Sequence, residues 1–188
     1  MADKSQELIT KYLGDMISLE SHIVQAIDKQ AKWLDDHQDV KAKVSAYRTT
    51  LSGHVDALKA RLETLGGSPT HPLKEGVAAA VGVAAGVVDK MRGSEAAKDL
   101  RDDYTAINLA IVSYIMMHTT AVAGGDLQTA ALCKQHLQDN ARMVMEINNF
   151  IPEIVVAELR QDGMSADPSA VEKSKQVNHE IWNQPARA

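Results

Sequence analysis

The chain has 188 residues, of which 45% are hydrophobic and 24% charged, with a formal net charge of −5. That length suits one domain with room for a core, and that composition excludes a disordered chain. The acidic balance leaves no basic footprint for nucleic acid.

Cys133 is the only cysteine, so no internal disulfide can form. Residues 1–7 lack the apolar core of a signal peptide. No window approaches ~18–20 uninterrupted apolar residues, the length needed to cross a bilayer. A cytoplasmic protein with no membrane span is expected. Aromatics are only 4%, while Ala, Leu, Val and Met abound, a mix that favours helix packing over strand pairing.

The first periodic segment covers about 5–34, with a seam of Ile9, Leu13, Met16, Ile23, Ile27, Ala31 and Leu34. Steps of three and four place these on one helical face. Glu20 falls in that series and breaks its apolar rule. Polar residues 35–39 end the helix, and the connection is short enough to make its successor an antiparallel neighbour.

The second helix, about 40–65, carries Val44, Tyr47, Leu51, Val55, Leu58, Leu62 and Leu65, with His54 on the flank. Gly66-Gly67 supply its stop. A breaker at 68–72 and a Gly/Ala-rich run at 76–88 follow, which read as a short helix strapped along the bundle.

The third long helix spans about 95–123, through Leu100, Tyr104, Ile107, Ile111, Tyr114, His118 and Val122. Gly124-Gly125 make a tight turn, with Asp126 as N-cap. The fourth helix begins at 127 and carries Ala130, Cys133, Leu137, Ala141, Val144, Ile147 and Ile151. Pro152 should kink it or start a new segment at 153–159. From Gly163 onward the chain is polar and reads as a loosely attached tail, with Ile181 and Trp182 free to dock a short turn. The organisation expected is a helical bundle over 1–162 and a polar tail over 163–188.

Connection lengths set the topology. Two tight helical hairpins are separated by roughly thirty-five residues, enough to run the bundle's length. One long crossover between two hairpins is the ferritin-like pattern, so the expected fold is an all-α, ferritin-like four-helix bundle.

Di-metal sites in such bundles draw a Glu from each of two helices and a Glu-x-x-His pair from each of the other two. No Glu-x-x-His occurs in this sequence. Glu20 reads either as a first-helix metal ligand or as a core carboxylate satisfied by His54 or Arg48, because a buried charge is costly unless paired or metal-bound. His54 could face it from the second helix, although the preceding turn offers Thr50 and Leu51 rather than a carboxylate.

The third helix presents Ile107, Ala110, Ile111 and Tyr114 inward, with His118 near the seam's end. The fourth presents Asn140, while Asp139 and Glu146 are expected off the seam. Cys133 and His136 lie one turn apart, a half-site for zinc or a buried thiol beside a histidine.

From Tyr12 to about Leu159 the pattern resembles the YciF-type ferritin-like stress proteins of bacteria. Tyr12-Leu13-Gly14-Asp15 followed by Glu20 is similar to that family's opening. His54-Val55-Asp56-Ala57-Leu58 leading to Leu65-Gly66 resembles its second helix, and Gly125-Asp126 and Ile151-Pro152-Glu153 resemble its third turn and tail. The resemblance implies a bundle, often dimeric and linked to stress, with a di-metal site in some members. Only Glu20 and His54 carry over as metal ligands; Thr50, Leu51, Ala110 and Asn140 stand where carboxylates would be wanted.

The resulting expectation is a non-enzymatic, stress-associated protein acting through a protein partner or by forming a homo-oligomer, a dimer foremost, with no cofactor. The alternative is a protein binding iron or another divalent metal at an atypical site of Glu20, His54 and His118.

Overall fold

The computed structural model describes residues 2–30, 34, 38–68 and 96–182. The expected strap at 76–88 and Ala31 lie outside them. Five helices occur among the described residues: α1 (Ala2–Gln30), α2 (Gln38–Thr64), α3 (Ala96–Gly124), α4 (Leu127–Gln161) and α5 (Ala170–Trp182). There is no strand among them.

The seams of α1 and α2 bury largely as their spacing predicts, except that Leu65 is half-buried beyond the end of α2 and His54 lies in the core rather than on the flank. Ile9, Leu13, Met16, Glu20, Ile23 and Ile27 face the core from α1. Val44, Tyr47, Leu51, His54, Val55, Leu58 and Leu62 face it from α2.

The third and fourth seams depart from expectation. Ala110 is buried as expected, but Val122 is 52% exposed and His118 only half-buried, whereas Asp103, Met117 and Ala121 are buried. Successive steps of four overrun the ~3.6-residue turn, so a seam drawn through 114, 118 and 122 drifts off the core face. On α4, Leu137 is half-buried and Ala141 exposed, while His136 is buried alongside Asn140, the one polar residue expected inward there. Following apolar residues alone misses a face that is deliberately polar.

Side-chain pairings fix the direction of every helix. Gln6 reaches Leu65 and Glu20 reaches His54, so α1 and α2 run antiparallel. Gln30 reaches Asp103 and Glu20 reaches Tyr114, so α1 and α3 do too. Tyr47–Glu146 and Arg61–Asp126 make α2 and α4 antiparallel. Tyr114–His136 does the same for α3 and α4.

Each helix of the bundle thus has two antiparallel neighbours, in the ring α1–α2–α4–α3. The end of α2 and the start of α3 therefore lie at opposite ends of the bundle. That placement of the two ends is the one a ferritin-like crossover joins, as the connection lengths predict.

Gly66 (φ 80°) and Gly125 (φ 76°) close α2 and α3 in the left-handed conformation that L side chains avoid. At each, the next amide bonds back five residues, Gly67 to Leu62 at 3.0 Å and Asp126 to Ala121 at 2.8 Å. Asp126 caps α4 as expected, accepting from the Thr129 amide at 3.0 Å. Arg61 clasps the same aspartate at 2.7 Å and Thr129 at 2.9 Å, tying α2 to the α3–α4 turn.

Pro152 does not break α4, which runs on to Gln161. Proline has no N–H to give the carbonyl four residues back, and that carbonyl belongs to Asn148. The Asn178 side chain of α5 donates to it at 2.9 Å, and Lys175 pairs with Glu153 alongside. The segment expected as a loose tail therefore includes a helix docked where the proline leaves a bond unmade. Asn178→Leu should weaken this docking by about 1 kcal/mol, roughly a fivefold rise in the detached population. Faster proteolytic trimming beyond Gly163, with the bundle's unfolding unchanged, is the expected readout.

Candidate functional site

Midway along the bundle all four helices contribute polar side chains to the core. Glu20 comes from α1, His54 from α2, Tyr114 from α3, and His136 and Asn140 from α4. All five are buried, Glu20 and Asn140 completely.

Their geometry is specific. His54 Nδ1 lies 3.2 Å from Glu20 Oε1, and its Nε2 lies 3.4 Å from Asp139 Oδ2. The Tyr114 hydroxyl lies 2.8 Å from Glu20 Oε1 and 2.8 Å from His136 Nδ1. Asn140 Nδ2 donates to Glu20 Oε1 at 3.4 Å. The two imidazoles stack 3.8 Å apart, with Tyr114 edge-on to His136.

A hydroxyl has one proton to give. Every contact is used when Tyr114 donates to Glu20, His136 Nδ1–H donates to the tyrosine oxygen, and both His54 nitrogens donate to carboxylates. Electrostatics agree. Burial pulls His54 down, but Glu20 and Asp139 outweigh it and hold its pKa above the ordinary histidine value. Burial, and then the adjacent His54, push His136 down to about 3, so it is neutral. Burial first and then Glu20 push the Tyr114 phenol well above its usual range. Within this site two buried polar atoms have no partner among the described residues, Glu20 Oε2 and Asn140 Oδ1.

Both predicted ligands, Glu20 and His54, therefore meet in the core, and the partner of Glu20 is His54 rather than Arg48, which pairs with Asp28. His118 is not part of the constellation. Asp139, expected off the seam, turns its carboxyl inward to His54 and is 25% exposed. Glu146 is half-buried and accepts from the Tyr47 hydroxyl at 2.8 Å.

His136 is the residue that sequence reasoning misplaced. It was paired with Cys133, yet it faces Glu20 and His54, and each of these three offers a ligand atom within 4.8 Å of the others. The Cys133 thiol is buried, and burial pushes it to about 12, leaving it protonated and inert. The signal available was the spacing itself. Leu51-x-x-His54 and Cys133-x-x-His136 each put a histidine where a Glu-x-x-His pair would put one, with the glutamate replaced.

Those replacements decide what the centre can hold. Leu51 and Cys133 are fully buried, one turn before the two histidines, and Ala110 faces inward from α3. A pair of hard cations needs about four carboxylates there; this core offers Glu20, with Asp139 at its rim. The residues present do not fit a di-iron centre.

A second polar layer lies about 15 Å along the bundle, ten residues at ~1.5 Å each. Asp103, 3% exposed, accepts from Gln30 Nε2 at 3.0 Å, while its Oδ2 has no partner among the described residues. Burial, reinforced by Asp99 and Asp102, raises its pKa to about 7. An acid whose folded pKa is raised weakens the fold as pH climbs from its ordinary ~3.9 to that value. Asp103→Asn should therefore be near neutral at pH 4 and stabilise by up to about 4 kcal/mol at pH 8, as read by urea midpoints at the two pH values.

The helix ring, its crossover and its mid-bundle polar site define a ferritin-like protein. The chain belongs to the family described as a domain of unknown function, DUF892, whose model matches residues 4–160. No match was found among the curated proteins. Among solved structures it is similar to a protein from Xanthomonas campestris pv. campestris, at 21% identity and TM-score 0.71, covering 86% of this chain and 99% of that one. It is also similar to the Escherichia coli stress protein YciF, at 18% identity and TM-score 0.66, covering 81% and 97%. The bacterioferritin of Desulfovibrio desulfuricans, described with a diiron site, matches at 16% identity and TM-score 0.65, covering 93% and 90%. At these identities the likeness is one of fold.

Proposed function

We propose that this chain is a stress-associated, cytoplasmic ferritin-like protein that self-associates and does not oxidise iron at a dinuclear centre. The observation that carries this reading is the replacement of two inward carboxylates by Leu51 and Cys133. Its stress association rests on the likeness to YciF, a stress protein.

Aerobic iron(II) oxidation, followed optically, tests the chemistry. No burst of two iron(II) per chain should appear, and such a burst would refute the proposal.

Self-association is supported by α3. From Tyr104 to Gly125 the sequence has no Asp, Glu, Lys or Arg. Leu109, Val112, Ile115, Met116 and Val122 are 39–55% exposed on its outer side. This is the one described helix long and apolar enough to cross a membrane. Its opposite face, with Asp103 and Tyr114, packs on α1 and α4, which marks it as a core helix whose apolar exterior no other described element covers. Such a face suits a second copy of itself. The 20.4 kDa chain should sediment as a dimer, and Val112→Asp with Met116→Asp should halve that mass. An unchanged mass would remove α3 as the interface.

A further inference from the structure

We infer that the chain has exchanged the two-ion centre of its fold for a single-ion site, in which Glu20, His54 and His136 bind one borderline divalent transition ion. This rests on the reading above that the carboxylates for a second ion are gone.

The three residues come from three helices, are each buried, and bring one ligand atom apiece within 4.8 Å of the others. Ligand atoms on one ion stand roughly 3–3.5 Å apart, given bonds of ~2.0–2.2 Å. The two imidazoles stack at 11° to one another, so closing the site requires at least one ring to turn its lone pair toward the other two donors.

The hydrogen bonds already aim the donors. Asp139 holds His54 Nε2, so Nδ1 is the nitrogen facing the site. Tyr114 holds His136 Nδ1, which leaves Nε2 with a free lone pair. Tyr114 and Asn140 both occupy Glu20 Oε1, so the oxygen without a partner among the described residues is Oε2. A carboxylate behind His54 is the outer arrangement that metal-binding histidines use, and the Tyr114 hydroxyl fixes the His136 ring in the same way.

Two nitrogens and one oxygen suit zinc, cobalt(II) or iron(II), and not magnesium or calcium, which want oxygen. Three protein donors leave a fourth position for water or a small ligand, as in an open rather than a sealed site. The partly exposed Asp139 carboxylate marks the way in.

The test is a titration of chelator-stripped protein with zinc or cobalt(II) alone. One cobalt(II) per chain should bind, with visible d–d absorption of a low-coordinate nitrogen–oxygen site and a raised Tm. His136→Asn should abolish that absorption. Asp139→Asn, at the rim where folding is least at risk, should weaken binding ~10–100-fold and shift the spectrum without changing the stoichiometry. His22→Ala, on the exposed side of α1, should change neither.

No binding, or a single equivalent that survives both His136→Asn and Asp139→Asn unchanged, would overturn the inference while leaving the proposed function standing. Two ions per chain at the centre would overturn both.

Discussion

Glu20→Gln in the metal-free protein is expected to lower stability by about 3 kcal/mol near pH 6, the low end for breaking a buried ion pair. The substitution keeps shape and keeps an oxygen for Tyr114, His54 and Asn140. What it removes is the charge opposite His54. Asp139 still touches the other His54 nitrogen at 3.4 Å, so the imidazolium is not wholly abandoned.

The pH dependence carries the sign. The folded pKa of His54 is raised, so its contribution is fully present below the ordinary ~6.5 and is lost as pH rises through the folded value. The variant's deficit should shrink over that upper range, because the partner it deprives is by then neutral. Urea unfolding of both proteins from pH 5 to 9 reads this directly. A deficit that is flat with pH would show that Glu20 acts through packing rather than charge.

The largest effect expected is from Leu51→Glu combined with Cys133→Glu. Each substitution replaces a fully buried side chain with a carboxylate. Losing a buried leucine costs about 2–5 kcal/mol, and the unpaired buried charges add to it, so the metal-free double variant should be unfolded or nearly so.

The same change recreates a Glu-x-x-His pair on α2 and on α4, around Glu20. Iron(II) under anaerobic conditions should therefore refold it, since binding to the folded state alone raises stability with ligand concentration. Circular dichroism with and without iron measures both halves. A double variant that folds normally without metal, or that iron fails to rescue, would mean the helices no longer hold the two-ion frame.

Much of this bundle was legible from the sequence, for reasons tied to particular residues. The α1 and α2 seams show themselves because apolar residues recur in steps of three and four, and Glu20 is conspicuous as the one charge inside such a series. The topology was legible from two short connections and one long one. Gly66 and Gly125 announced helix ends, since few other residues accept their backbone conformation.

The centre was only half legible, for a physical reason. On α3 and α4 the core face is partly polar, so apolar periodicity leads through Leu137, Ala141 and His118 rather than through His136 and Met117, and only Asn140 is placed inward. Asp103 was passed over because a buried aspartate is rare and nothing local marks it. A new segment after Pro152 is a natural expectation from sequence, because the remedy for its missing bond, the Asn178 amide, sits 26 positions later in the chain and on another helix.

Anomalous diffraction from crystals grown with excess iron(II) would test the central claim most directly. No more than one peak is expected inside the bundle, beside Glu20, His54 and His136, with Leu51 and Cys133 contributing no ligand. Two peaks about 3.5–4 Å apart, the separation of a paired metal centre, would contradict it.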